Sequence, residues 1–301
     1  MPFRWILLFV ATVITLSPLS CGCGDDDDDD DDAGAGFPYL EDGRYPFGYL
    51  LAGDEESIGR LADFNVAVFD AVEDGDDALM EVLAGAGTLV LSYVNLGSLE
   101  NWRSFYDDFS ELCLATYENW EDECWIDVRD EDWRNHFVDD VCASAWDLGA
   151  DGFYIDNVDI YSLYPDADFR DALVAALQSL RDAFPDAYIV VQNGGDLLLD
   201  DAAGADVRAL VDATSREDVS FIPDFDAPDG GDDSYLAVDD EERGATLAEL
   251  DELAEDLDVF TVDYTNDAGQ MLEAVDVSRA HGFTPFVGDT NLSRFQFYPK
   301  L

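Results

Sequence analysis

The chain has 301 residues, 48% of them hydrophobic, and a formal charge of −56 from 70 acidic against 14 basic residues, with Lys300 its sole lysine. A field of that sign repels nucleic acid and anionic surfaces and excludes them as partners. The apolar content suffices for one sizeable core, and a single domain is the default at this length. Residues 1–20 read as a secretory signal peptide: Arg4 supplies the positive n-region, Trp5 to Leu16 a short apolar h-region, and Leu19, Ser20 and Cys21 follow. That run is too short for a comfortable membrane span. A cysteine directly behind such a segment is the lipoprotein pattern, so Cys21 is the expected lipidation site, giving an exported protein held at the cell envelope. Pro18 stands where a larger apolar residue is usual, which keeps plain secretion as the alternative. Residues 21–36 hold eight consecutive aspartates between small residues, an acidic disordered linker that cannot bury apolar surface. The run lacks the spaced ligands and turn glycine of a calcium loop, so no metal is expected there. The folded domain is expected over 37–301.

Eight short apolar runs follow: Phe47 to Leu51, Val66 to Phe69, Thr88 to Val94, Gly152 to Ile155, Tyr188 to Val191, Leu210 to Ala213, Val259 to Val262 and Thr284 to Val287. Between them, Asp54 to Asp63, Trp133 to Leu148, Asp168 to Phe184, Arg243 to Leu257 and Ala268 to His281 carry apolar residues at helical spacing. Eight strands alternating with helices predict an α/β fold, a (β/α)8 TIM barrel in one domain. An open doubly wound sheet is the alternative, weakened by the lack of a glycine-rich phosphate turn after the first strand. Two connections, 95–151 and 222–242, are long and follow strands, so they should overhang the carboxyl-end face as loops and shape a cleft. Cys113 and Cys124, with ten residues between them in the first of these loops, are the expected disulfide in an oxidising compartment; Cys142 reads as a buried thiol on a helix.

The stretch GFYIDNVDIYS (152–162) runs an apolar strand into carboxylates, an amide and a tyrosine. At a barrel's carboxyl-end face, Asp156, Asn157, Asp159 and Tyr161 would share a cleft. The bland alternative is a strand end whose Asp159 caps the next helix. Other strand exits offer Asp70, Asn95 to Glu100, Asn193, Glu217, Asp263 with Tyr264, and Asp289. His136 and His281 fall in or beside helices, and no zinc spacing or nucleophile elbow is present, so carboxylates are the available catalysts and no cofactor or metal is expected. Paired carboxylates with aromatic neighbours are what glycoside hydrolysis needs. Trp102, Trp120, Trp125, Tyr154, Tyr161, Tyr164 and Tyr264 could stack on sugar faces, although core packing is the ordinary fate of such residues.

NVAVFD (65–70), VLSYVNLGSLENWRSF (90–105), ECWIDVRDEDWR (123–134), GFYIDNVDIYS (152–162) and VDYT (262–265) together resemble the glycoside hydrolase family 114 barrel of endo-α-1,4-polygalactosaminidases and spherulin-4-like proteins, over roughly residues 37–298. The resemblance implies a (β/α)8 fold and hydrolysis of α-1,4-linked galactosamine or N-acetylgalactosamine exopolysaccharide, with anomeric retention by analogy with related barrels. It places the nucleophile at Asp156 and the acid/base at Glu217. The family's glutamate usually stands in a context resembling NE-x-CF, whereas this chain reads SREDVSF, which makes Asp218 the reserve acid. Strand alternation would turn Arg216 and Asp218 away from Glu217. Negative neighbours should keep Glu217 protonated for its role as acid. Asp70, Tyr93, Asn95, Glu100, Asn157, Asp159, Tyr161, Asn193, Asp263 and Tyr264 are then the expected substrate-binding set. Glu100 could equally form an ion pair with Arg103 within a helical turn. The partner is a polysaccharide, the membrane is met only through the lipid anchor, and a monomer is expected. A barrel that binds carbohydrate without cleaving it is the competing reading. The acidity has two explanations, saline surroundings that screen it or a cationic substrate drawn to the cleft.

Overall fold

The computed structural model of the protein describes residues 36–117 and 120–299. The expected signal peptide, the expected lipidation site Cys21 and the aspartate run lie outside the described residues. Eight parallel strands form one sheet in sequential order: β1 (Tyr45–Tyr49), β2 (Phe64–Phe69), β3 (Leu89–Asn95), β4 (Gly152–Asp156), β5 (Tyr188–Gln192), β6 (Ala213–Glu217), β7 (Asp258–Tyr264) and β8 (Thr284–Gly288). β8 comes back beside β1, so the sheet curls into a nearly closed (β/α)8 barrel, as expected from the alternation of elements.

Inward side chains fill the barrel with aromatic rings. Phe47 meets Phe260 at 4.9 Å between centroids and Phe286 at 5.8 Å, while Tyr49 meets Tyr154 at 4.9 Å. The C-terminal segment adds Phe295 and Tyr298 against Phe64, at 4.7 and 5.4 Å, and seals the side where β8 approaches β1.

The helices owe their starts to aspartate. Asp54, Asp70, Asp76, Asp130, Asp166, Asp239 and Asp267 each cap a helix by accepting from backbone N–H groups of its first turn. Part of the acidity is therefore architectural. The helix Ala167–Ala183 shows the pattern in full: Asp166 accepts from Asp168 and Phe169 at 3.0 Å, and Phe169, Leu173, Ala176, Leu177 and Leu180 bury one face.

Two features differ from the sequence reading. β6 begins at Ala213, so the apolar run Leu210 to Ala213 leads into the strand instead of forming it; Leu210 and Val211 still bury their side chains, which is what their hydrophobicity reports. The two long connections carry sheets of their own. Ser98–Glu100, Glu123–Ile126 and Cys113–Thr116 pair antiparallel, and Phe221–Pro223 pairs with Tyr235–Ala237. Cys113 and Cys124 are joined across the first of these, with Cα atoms 5.6 Å apart, and Cys142 is a buried free thiol.

Candidate active site

A cleft of about 500 Å³ opens at the carboxyl ends of the barrel strands. Its floor and walls bring together Tyr49 from β1, Tyr93 from β3, Asp156 from β4, Gln192 from β5, Glu217 from β6 and Tyr264 from β7. The antiparallel insertion contributes Tyr117, Trp120 and Glu123.

The strand exits are built for close approach. Asn157, Asn193 and Asp218, the residues directly after β4, β5 and β6, all have left-handed backbones, with φ of 58°, 53° and 60°. Asparagine and aspartate tolerate this region better than other non-glycine residues, and strain of this kind gathers at functional sites. Gly97 is required by a close approach too: a Cβ there would sit 1.8 Å from the Asn157 carbonyl oxygen. Asn157 is held by its side chain, which donates to Asn95 Oδ1 at 3.1 Å and Ser98 Oγ at 3.2 Å.

Asp156 accepts from the Tyr93 hydroxyl at 2.9 Å through Oδ2 and from the Asn157 N–H at 2.8 Å through Oδ1. Glu217 accepts from three side chains: Gln192 Nε2 at 2.7 Å, Asn193 Nδ2 at 2.8 Å and the Tyr264 hydroxyl. Asn193 also takes the Glu217 N–H on its Oδ1 at 3.1 Å, which fixes the backbone as well as the carboxylate. Burial and then the Glu217 charge push Asp156 well above the usual carboxylate range. The sequence reading placed the effect of neighbouring charge on Glu217; the structure shows such an effect at Asp156.

Of the other expected binding residues, Asp70, Tyr93, Glu100, Asn157 and Tyr264 line the cleft. Asp70 and Glu100 are engaged by Arg103, which donates to Asp70 Oδ2 at 2.5 Å and to both Glu100 oxygens at 3.0 and 2.9 Å. The ion pair within a turn is therefore present, and it extends to the residue after β2. Asp159 and Asn193 line a side recess that opens beside Glu217. Three residues do not reach the cleft. Asn95 lies beneath it and supports Ser98 and Asn157. Tyr161 turns toward Asp200, to which its hydroxyl donates at 2.9 Å. Asp263 is buried under the turn after β6, where Oδ1 accepts from the N–H groups of Ser220 and Phe221. Arg216 and Asp218 do face away from the main cleft, yet both line the recess, because the left-handed turn at Asp218 swings the chain around Glu217.

Sequence reasoning missed Gln192, which precedes Asn193 and donates to the same Glu217 oxygen, and Tyr49, whose hydroxyl lies 3.4 Å from Gln192 Oε1. It also missed Glu123, which accepts from Ser98 Oγ at 2.7 Å and is pushed up to about 7 by burial. Among the expected stacking aromatics, Trp102 and Trp120 stand at the cleft and are 56% and 39% exposed. Trp125 is instead buried, stacked on Tyr117 at 4.4 Å. Tyr154 lies in the barrel core with its hydroxyl on Ser215, and Tyr164 stacks on Phe169.

Carboxylates at the ends of two barrel strands, set in a trough with indoles at its edge, place the protein among barrel glycosidases. Comparison with known proteins gives the family. The profile of glycoside-hydrolase family GH114 matches residues 41–301, and the chain belongs to that family. The chain is 24% identical over 255 residues to an uncharacterised protein of Deinococcus radiodurans, covering 78% of this chain and 76% of that one. The fold is similar to the glycoside hydrolase domain of PelA from Pseudomonas aeruginosa, with a TM-score of 0.69 and 20% identity over 82% of this chain and 95% of that one. It is also similar to Aspergillus fumigatus Ega3 in complex with galactosamine, with a TM-score of 0.60 and 20% identity over 86% and 96% of the two chains.

Proposed function

We propose that the protein hydrolyses an α-1,4-linked polysaccharide of galactosamine or N-acetylgalactosamine, cutting within the polymer and retaining the anomeric configuration. The observation that carries this reading is the pairing of Asp156 and Glu217 in one cleft at the barrel's carboxyl-end face, close enough for the charge of one to oppose ionisation of the other. Family membership and the galactosamine complex of Ega3 support the substrate class. Exposed Trp102 and Trp120, with the acidic walls between them, suit a long cationic chain lying across an open trough.

In the mechanism, Asp156 attacks the anomeric carbon while Glu217 protonates the departing glycosidic oxygen, then takes a proton from the water that releases the product. The step needs Asp156 ionised and Glu217 protonated, and a sugar ammonium near Asp156 favours its ionised form. Tyr93 and the Asn157 N–H aim Asp156; Gln192, Asn193 and Tyr264 aim Glu217. Export, with Cys21 as the lipid attachment point, belongs to the same proposal and places the enzyme where exopolysaccharide is met.

The test is NMR of the nascent product together with sizing of early fragments. The α-anomer appearing first, with a broad range of oligomers, is expected. A β-anomer appearing first would show inversion, and monosaccharide as the sole early product would show attack from the chain end.

A further inference from the structure

The side recess beside Glu217 has a volume of about 260 Å³ and shares Tyr117, Trp120, Glu217, Tyr264 and Thr290 with the main cleft. Its chemistry differs from that of the cleft. Arg216 lines it and, among the described residues, has no hydrogen bond or ion pair of its own, with its Nε buried and unsatisfied. Every other arginine in the described residues has a hydrogen-bond partner. The charge of Arg216 eases the ionisation of Asp159, Asp218 and Glu249, yet its guanidinium donates a hydrogen bond to none of them, which is unexpected in a chain carrying 70 acidic residues. Two acceptors in the same recess are also unsatisfied, Asp159 Oδ1 and Asp218 Oδ1. The recess also has an apolar wall of Pro223, Phe225 and Trp120, the last two packed edge to face at 6.4 Å. Buried polar groups without partners are costly, and a donor and two acceptors that lack partners on residues lining one recess suggest a site whose side chains turn to meet a ligand.

An acetamide answers these groups with one N–H for either aspartate, one C=O for the arginine and a small apolar end. Resting on the polysaccharide reading above, we propose that the recess is a subsite for an N-acetylated sugar unit, its acetamide N–H donating to an aspartate, its carbonyl accepting from Arg216, and its methyl group packed on Phe225. A free sugar ammonium can meet the aspartates but, having no acceptor, leaves Arg216 without a partner. Burial also pushes Asp218 well above the usual carboxylate range, which lessens the negative charge beside Arg216. The acidic cleft, in contrast, tolerates free amines. The two together describe an enzyme that prefers an N-acetylated unit at the position beside Glu217 and accepts free amines elsewhere along the cleft.

The experiment measures binding, with cleavage disabled by Asp156→Asn, whose side chain does not line the recess. Tetramers of α-1,4-linked galactosamine, one fully N-acetylated and one with free amines, are titrated by calorimetry in molar salt to screen the long-range charge. The acetylated tetramer is expected to bind about tenfold more tightly, the contribution of one charge-assisted hydrogen bond and a buried methyl group. Arg216→Met and, independently, Phe225→Ala in that background should each remove most of the preference while leaving the free-amine affinity within about twofold. Equal affinities, or tighter binding of the free amine, would overturn the acetamide subsite and leave the polysaccharide reading standing. Loss of affinity for both tetramers alike in both variants would reduce the recess to a structural feature. Binding of neither tetramer by the folded parent would overturn the polysaccharide reading itself.

Discussion

Replacing Asp263 with asparagine tests whether this carboxylate is a piece of architecture or part of the site. Asp263 is almost fully buried, with Oδ1 receiving backbone N–H groups after β6 and Oδ2 without a partner. Burial pushes it up to about 6, against about 3.9 in an unfolded chain. Because the folded-state value is the higher one, the native state binds more protons, and stability falls as pH rises from about 4 to about 6. The ionised side chain then costs about 3 kcal/mol above that window, at about 1.36 kcal/mol for each pH unit it spans. Asparagine at this position would keep the Oδ1 acceptor and abolish the titration, while its buried amide adds a pH-independent offset. Urea unfolding at pH 4.5 and 7.5, in constant molar salt, separates the two effects. Relative to wild type, Asp263→Asn should gain about 2 kcal/mol between these pH values. Its catalytic constants on polysaccharide should stay close to wild type. Parallel pH profiles would refute the titration, and a large rise in KM would return Asp263 to the substrate-binding set.

Tyr264→Phe removes a hydroxyl that donates to Glu217 and should lower kcat about tenfold or more with little change in KM, read by steady-state kinetics. Gly97→Ala places a methyl group against the Asn157 carbonyl, so it should unseat the loop after β4 and abolish activity, accompanied by a lowered melting temperature. The pair Cys113→Ser and Cys124→Ser opens a loop with a sequence separation of 11, which the chain-entropy relation values at about 3 kcal/mol. That loss should fall on the antiparallel insertion, so KM should rise more than kcat falls, with earlier proteolysis near Trp120.

Barrel order is legible in the sequence because parallel strands buried on both faces announce themselves as apolar runs, and because the helices keep their 3.6-residue period. β6 starts three residues later than its apolar run for the same reason in reverse: ATSRE turns Ser215 and Glu217 toward the interior and the site, so the strand that carries the expected acid has little hydrophobicity to signal it. The insertion sheet reads as loop, since Cys113–Thr116 is largely exposed and depends on its pairing and disulfide instead of a buried face. Asp156 and Glu217 can be picked out by motif, whereas acidic composition does not separate Asp263, a buried turn cap, from Asp159, which opens into a recess. Gln192 and Tyr49 give no signal, because their roles exist only through contacts between different strands.

The measurement that bears most directly on the central claim is release of reducing ends from a galactosamine-rich polymer by the domain from Phe37 onward, beside Asp156→Asn and Glu217→Gln, in low and high salt. The account predicts cleavage by the wild type and a fall of at least about 10²–10⁴-fold in each variant with folding intact. A folded wild type that retains the polymer at every salt concentration yet releases no ends, or variants that cleave as well as it does, would contradict it.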